Sequence, residues 1–509
     1  MACVDRLQLV WPNKDQFLLS PTDEHGKPVW VPSSHPSAHE VRLTDFTGDC
    51  GKVGPDPYND NLLFTGDSLD VLRILVKTPE FAHHYKGKVK LIYLDPPFNT
   101  GQTFEHYDDW MEHSTWLSFM HERLKLAKEL LSPDGSIWVH LDDAEQHRMR
   151  LLMDEVFGPE NFVGTVIWHG ADIPKSSARY LSTDQDYVHI FARNRPKWSL
   201  NKLARDDEEN KNYKNPDGDP RGPWMSGPIT ATKPYSKGRY VIVGPTGEEF
   251  LPTPNTWWRY SEEKFHQLNN EGRIYWGKDG KGRPLVKRYL SEVGELVPRT
   301  IWHYKDIGST RNAKAEMKKL FEKGELFATP KPERFIERVI HIGSNPGDVV
   351  LDVFAGSGTT AAVAQKMGRR WVTGELSPSN VETFTLPRLQ KVIDGSDQGG
   401  ISEAVEWKGG GGFRTLSVSP SAYVDTDIGV MLDDWVTSGD FDRLMAAQLG
   451  FDYAPSGPFS GRRGRMRLMT VFGAVGIEEA GVAVSALGDG ERVTIVSTVI
   501  LDGVESFLR

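Results

Sequence analysis

The chain has 509 residues, 60 Lys or Arg against 70 Asp or Glu, 38% hydrophobic residues and two cysteines. That length accommodates about three domains at ~150 residues each, and a net charge of −10 excludes a protein that coats nucleic acid through bulk positive charge. No stretch approaches the ~18 consecutive apolar residues of a membrane helix, Asp5 and Arg6 interrupt any secretory core, and two cysteines frame neither a disulfide scaffold nor a thiolate zinc cage, so a cytoplasmic protein without a membrane partner is expected.

Residues 1–60 (PTDEHGKPVWVPSSHPSAHE among them) sustain neither helical nor strand periodicity and predict an irregular N-terminal extension. From Asn61 the texture changes. NLLFTGDSLDVLRIL predicts a strand, a turn and an amphipathic helix, and KVKLIYLDPPFNTG a buried strand running into a loop. Helical spacing follows from Trp116 to Leu131, SIWVHLDD predicts a strand behind the Pro133-Asp134-Gly135 turn, and another helix and strand complete a first α/β block over 61–175. The sequence then turns polar, aromatic and rich in turns (NPDGDPRGPW, TPNTWWRY), which predicts an inserted domain over 176–325. GDVVLDVFAGSGTTAAVAQKMGRRWVTGEL restores the rhythm over 326–395. Beyond GSDQGG lies a C-terminal accessory module, 396–509, whose residues 401–509 hold 9 Lys or Arg against 15 Asp or Glu and a predicted β-α-β unit.

Two loops carry chemistry. In VVLDVFAGSGTTAAVAQK a strand ending at Asp352 turns through Phe354, Ala355, Gly356 and Gly358 into a helix at Thr359, so that backbone can approach a ligand closely. Glu375 stands 19 residues after the first glycine, where an acid at the end of the next strand accepts both hydroxyls of a ribose. A nucleoside cofactor is implied. Gly356-x-Gly358-x-x-Ala361 also fits the dinucleotide fingerprint, so the glycines alone leave a nicotinamide-dependent (NAD) oxidoreductase open; a P-loop is excluded, since no Gly-Lys-Ser/Thr follows.

The other loop is Asp95-Pro96-Pro97-Phe98, directly after the apolar run Leu91 to Leu94. Two prolines cannot continue a sheet and hold a rigid extended loop. A carboxylate and a fixed carbonyl that each accept one N–H draw an exocyclic nucleobase amine toward tetrahedral geometry, with its lone pair aimed at an incoming methyl group. Stacking of the base on Phe98 is worth ~1–3 kcal/mol, comparable to the few kcal/mol needed to extrude a base from a duplex.

Taken together, FAGSGTT and DPPF resemble the amino-methyltransferases of DNA. Their order, with DPPF first and a long insert between, is similar to the circularly permuted β class found in the modification subunits of type III restriction–modification systems. The resemblance implies an α/β, Rossmann-like fold dependent on S-adenosyl-L-methionine, with an inserted target-recognition domain and a small C-terminal α/β module. It implies catalytic roles for Asp95, Pro96, Pro97 and Phe98. For the cofactor it implies Asp352, Phe354, Ala355, Gly356, Gly358, Thr359 and Glu375, with Lys331 and Pro332 of a TxKP segment beside the methionine and Asp67 near the adenine. Asp67 reads equally well as the N-cap of a helix starting at Ser68. Asp in place of Ser at the head of the tetrad favours adenine over N4 of cytosine within the family, while carbon-5 methylation lacks its Pro-Cys nucleophile.

Double-stranded DNA is the expected partner. Residues 221–331 hold 20 Lys or Arg against 12 Asp or Glu, and Arg259, Arg273, Lys278, Lys281, Arg283, Lys287 and Arg288 alternate with aromatics such as Trp257 and Trp258, a mixture suited to phosphates and bases. A homodimer, or a restriction or helicase subunit, is a further expected partner. His83, His84, His140 and His147 form no metal-ligand spacing, and no metal is expected.

Overall fold

Apolar runs of four to six residues followed by turns fold as strands buried on both faces, the pattern of a parallel sheet covered by helices. In the computed structural model, which describes residues 8–20, 27–100, 102–104, 107–109, 111–174, 176, 178–321 and 327–508, such runs build one ten-stranded sheet. In chain order its strands are β1 (Thr44–Gly51), β2 (Asn61–Thr65), β3 (Val89–Leu94), β4 (Leu131–Leu141), β5 (Phe162–His169), β6 (Gln185–Ala192), β7 (Ile301–His303), β8 (Val349–Asp352), β9 (Arg370–Glu375) and β10 (Gly412–Val418). They lie in the order β7-β5-β6-β4-β3-β8-β9-β2-β10-β1. The run from β4 through β10 is parallel, and β6 lies antiparallel to both its neighbours. This is the doubly wound α/β sheet expected, in permuted order: the strand before DPPF precedes the strand before FAGSGTT in sequence, yet the two are neighbours in space.

Helices α1 (Ser68–Lys77), α2 (His113–Leu130), α3 (Gln146–Phe157), α4 (Thr310–Leu320), α5 (Glu333–Gly343), α6 (Thr359–Lys366) and α7 (Leu386–Asp394) accompany the sheet. The main core joins Leu62 and Phe64 of β2, Leu72 and Leu75 of α1, Ile92 of β3, Trp116 and Leu124 of α2, and Leu351 of β8, all buried.

The chain divides into two units, Met1–Asn201 with Arg299–Arg509, and Lys202–Pro298. Three sequence-based expectations change. Residues 1–60 are not irregular throughout: Gln16–Ser20 pairs with Val29–Pro32, and β1 forms an edge of the main sheet against β10, pairings between distant segments that local periodicity does not reveal. The C-terminal segment contributes β10 to the same sheet before it forms its own four-stranded sheet, in which Met466–Val475, the helix Ile477–Ser485 and Arg492–Ile500 make the predicted parallel β-α-β unit. The insert is also shorter than 176–325, because β6, β7 and α4 belong to the first unit. Consequently Lys202–Pro298 carries only 16 Lys or Arg against 14 Asp or Glu, and half of the positive excess counted over 221–331 lies beyond Pro298.

Candidate functional site

Strands β3 and β8 pair in parallel, Val350 opposite Leu91 and Leu351 opposite Ile92. Asp95 to Phe98 and Phe354 to Gly358 therefore leave the same edge of the sheet side by side, at the carboxyl ends of the strands where open α/β sheets bind ligands. Between them lies a cavity of about 580 Å³, inside the ~300–1,000 Å³ range of small-molecule sites. Asp67, Asp95, Pro97, Lys331, Asp352, Phe354, Ala355, Gly356, Thr359 and Glu375 line it, whereas Pro96, Phe98, Pro332 and Gly358 are not among its lining residues.

The glycine loop is built for close approach. Gly356 (φ 50°) and Gly358 (φ 76°) adopt left-handed backbone, and a methyl group on either would come within 3.0 Å of a neighbour, Phe327 Cζ at the first and Thr385 Cγ2 at the second. Left-handed backbone costs a non-glycine residue ~1–2 kcal/mol before any steric clash is counted. The Gly356 N–H donates to Glu375 Oε2 (2.9 Å), while Glu375 Oε1 accepts from the Ser377 N–H (3.1 Å) and Asn380 Nδ2 (3.3 Å), so the carboxylate is fixed at the end of β9. Asp352 accepts from the Phe354 N–H (2.9 Å). Burial pushes its carboxyl up to about 7, with Asp95 and Glu375 adding repulsion and the Thr360 hydroxyl and Phe354 N–H partly offsetting it.

On the opposite wall Asp95 is half-buried and both its oxygens accept from Lys331 Nζ, at 2.8 and 2.6 Å. The same ammonium lies 5.0 Å from the centre of the Phe98 ring. Trp116 Nε1–H donates to the Pro97 carbonyl (2.9 Å) and anchors the double-proline loop to α2. Behind it, buried His140 bridges the Tyr93 hydroxyl (Nδ1, 2.8 Å) and Asp186 (Nε2, 3.0 Å) and sets its ring 5.8 Å from Phe98.

Asp67 is the N-cap of α1, accepting from the Leu69 N–H at 2.7 Å, and it also lines the cavity. Both its oxygens take the guanidinium of buried Arg123 at 2.9 Å, which itself lies 3.5 Å from the Phe119 ring centre.

Several residues of this site were not evident in the sequence. Asn99, left-handed at φ 61°, donates to buried Glu145 (2.7 Å) and accepts from the Met111 N–H (2.6 Å), bracing the far end of DPPF; the asparagine directly after the tetrad was the available signal. Phe17, Leu18, Leu19 and Arg42 of the N-terminal segment also line the cavity. Arg42 pairs with Asp70 (3.1 Å), whose carboxyl burial pushes up to about 6. Beneath the glycine loop, fully buried Lys366 bonds both oxygens of Glu333 (2.9 and 2.8 Å) and Asp397 (2.7 Å), and Arg388 joins Glu333 (2.9 Å) to Thr359 Oγ1 (2.8 Å).

A family model described as DNA methylase matches residues 89–385, more than half of the chain. The chain belongs to this DNA methylase family. Within the family it is 31% identical over 424 residues to the probable type III restriction-modification enzyme HindVI Mod subunit of Haemophilus influenzae, covering 71% of this chain and 54% of that one. It is 32% identical over 336 residues to the type III restriction-modification enzyme StyLTI Mod subunit of Salmonella typhimurium (59% and 49%). With the type II methyltransferase M.EcaI of Enterobacter cloacae it shares 30% identity over 340 residues (65% and 68%). The chain spans about half the length of the two Mod subunits. Membership of the methylase family sets aside the nicotinamide alternative that the glycines had left open.

The methylase's second unit redistributes the residues expected on DNA. Trp258 is 1% exposed, in a core with Ile229, Ile242, Phe265 and Val286. Lys287 is buried on Asp217 and Asp219, and Asp219 also accepts from Arg221 (2.9 Å) and the Tyr289 hydroxyl (2.8 Å), bonds that hold its carboxyl far below the usual range. These two positions are corrections. Alternation of basic and aromatic residues does not distinguish a charge neutralised inside the fold from one held in solvent. Arg273 is engaged by Glu292 and Glu271, and Arg283 donates to the Leu251 carbonyl (2.8 Å). Arg259, Lys278, Lys281, Arg283 and Arg288 are exposed, and Trp257 is half-buried. Among the described residues no group of three or more metal-ligating side chains occurs, and no helix is long and apolar enough to cross a membrane.

Proposed function

We propose that this methylase transfers a methyl group from S-adenosyl-L-methionine to the exocyclic amine of an adenine flipped out of double-stranded DNA. The observation that carries the reading is the meeting of the two loops at one cavity, Asp95 on one wall and the Gly356–Glu375 cradle on the other. The cradle suits the cofactor: a side chain on Gly356 would fill it, and the Glu375 carboxylate is fixed where ribose hydroxyls need an acceptor. Thr359, Asp352, Phe354 and Ala355 would bound the methionine end and Asp67 with Arg123 the other. When bound, the cofactor supplies a methyl group on a positively charged sulfur.

The chain's own residues do the rest. Asp95 and the Pro96 carbonyl accept the two amine hydrogens and hold the nitrogen lone pair toward the donor, while Phe98 stacks on the base. Trp116, Asn99 and the Tyr93–His140–Asp186 chain fix that loop in advance, so little reorganisation is left for the reaction. Asp at the head of the tetrad supports adenine; N4 of cytosine is the alternative. Exposed Lys278, Lys281, Arg259 and Arg288 supply phosphate contacts. The likeness to Mod subunits supports a restriction subunit as a partner and work in the cytoplasm; a second copy of this chain is a further partner to be tested.

Asp95→Ala should lower transfer of radiolabelled methyl groups by at least ~10²-fold, the scale on which one preorganised polar group acts, and leave S-adenosylmethionine binding by calorimetry within a few-fold. Retained transfer refutes the role. Long-read sequencing of DNA from a host expressing the chain reports the modified base and its context, and size-exclusion with light scattering reports the copy number.

A further inference from the structure

Within the site, the pairing that most constrains function is the one between Lys331 and Asp95. The Lys331 side chain is 11% exposed, its ammonium bonds both carboxylate oxygens, and it lies against the ring of Phe98. An exocyclic amine entering for methylation needs the same carboxylate and the same ring face. The ammonium and the target amine therefore compete for one place.

Lys331 sits between Pro330 and Pro332, and Pro332 leads directly into α5. The prolines stiffen the backbone at φ near ~−65°, leaving the four-carbon side chain as the part that moves. Among the described residues the other carboxylates that line the cavity are engaged already: Asp70 pairs with Arg42, and Glu40 accepts from Ser421 and the Ala422 N–H. Glu375 is taken by the N–H groups of Gly356 and Ser377, and Asp352 is buried and turned toward the Phe354 N–H. Asp67 is taken by Arg123.

We infer that Lys331 is a positioning residue that stands in for the target amine on Asp95 and is displaced by the positive charge of the methyl donor, so that the base site opens only when an unspent donor is loaded. This deepens the function proposed above and rests on it. A donor cation beside Asp95 places two positive charges on one accessible carboxylate. The cradle of Gly356 and Glu375 would hold such a donor in place, and the ammonium would swing outward into water. During transfer the bond from sulfur to the methyl carbon breaks with its electron pair left on sulfur, and the bond from nitrogen to carbon forms. An N–H proton then passes through the Asp95 carboxylate to water. The sulfur is now neutral, nothing repels Lys331, and its return to Asp95 expels the methylated base.

The test uses the full-length protein and a duplex with 2-aminopurine at the target adenine, located by the methylation map, since this fluorophore brightens when unstacked. Two ligands are compared, each saturating by calorimetry: sinefungin, which carries an amine cation at the sulfonium position, and S-adenosylhomocysteine, which is neutral there. The wild type should brighten several-fold with sinefungin and little with S-adenosylhomocysteine. Equal brightening with both overturns the inference. Lys331→Met should brighten with either ligand and with none, whereas Lys331→Arg, which keeps the charge, should preserve the requirement for sinefungin. A Met variant that still needs the charged ligand overturns it as well. If the Met variant does not fold, the wild-type comparison decides alone. Failure of both ligands and of S-adenosylmethionine to bind refutes the cofactor reading itself, a result distinct from binding without discrimination.

Discussion

Lys366 offers the sharpest test of how the ground beneath the glycine loop is held together. It is fully buried on α6, with hydrogen bonds of 2.7 to 2.9 Å to Glu333 and Asp397. Lys366→Met keeps most of the side-chain volume and removes the charge. Deleting one member of a buried ionic cluster costs ~3–5 kcal/mol, because the partner is left charged and unpaired. Here Glu333 keeps Arg388 at 2.9 Å and the Ile401 N–H at 3.0 Å, whereas Asp397 keeps the Gly399 N–H (3.0 Å) and the attraction of Arg388 without a hydrogen bond among those described. The orphaned charge is thus one carboxylate rather than two, which places the expected loss near the lower end, about 3 kcal/mol. Urea unfolding followed by tryptophan fluorescence measures it. The double variant Lys366→Met with Asp397→Asn should lose less than the sum of the single changes, since the second substitution removes the carboxylate that the first had stranded. Glu333 opens α5 one residue after Pro332, and Arg388 ties it to Thr359 at the cavity, so cofactor affinity should fall with stability. A loss below about 1 kcal/mol, the level of an exposed ion pair, or strict additivity would refute the reasoning.

Asp352→Asn keeps an acceptor for the Phe354 N–H and cannot ionise. The folded carboxyl is pushed up to about 7, above its ordinary 3.8, so the native state binds the proton more tightly and stability falls as pH rises from about 4 to about 7. Across that window wild type should lose up to ~4 kcal/mol relative to the variant, at about 1.36 kcal/mol for each of roughly three pH units; parallel unfolding curves from pH 4 to 8 would exclude it. In the inserted unit, Lys278→Ala with Lys281→Ala should leave unfolding unchanged and reduce the slope of log binding against log salt by ~0.9 for each phosphate no longer neutralised. Lys287→Met should instead destabilise that unit by ~1.5–3 kcal/mol, the worth of a hydrogen bond to a charged group, because Asp219 loses one charged partner and keeps Arg221 and Tyr289. Interchanged results would return Lys287 to the DNA surface.

The two loops that define the site were legible because their chemistry is local. Paired prolines end a strand wherever they stand, and left-handed turns at Gly356 and Gly358 are written in the residue type. Asp67 was legible as a helix cap, and it also lines the cavity. Arg123 was not, since an arginine amid the apolar residues of α2 carries no mark of the carboxylate it meets 56 positions away. The N-terminal wall escaped for a related reason: Phe17 and Leu19 take their place by packing with Leu69 and Leu126, far along the chain, and Arg42 stands just ahead of β1, which pairs with a strand more than 360 residues on. Lys287 and Trp258 mark the opposite failure, in which composition suggested a surface and burial made a core.

The entry and exit of the inserted unit are fastened to each other within that unit: Leu203 and Leu296 exchange both backbone hydrogen bonds, at 2.9 and 2.8 Å. A cut just outside this clasp severs two peptide links and none of the ten-stranded sheet's pairings. Under the proposed function, an exchange of Lys202–Pro298 alone would alter which sequence is met and leave Asp95 and the glycine loop as they are.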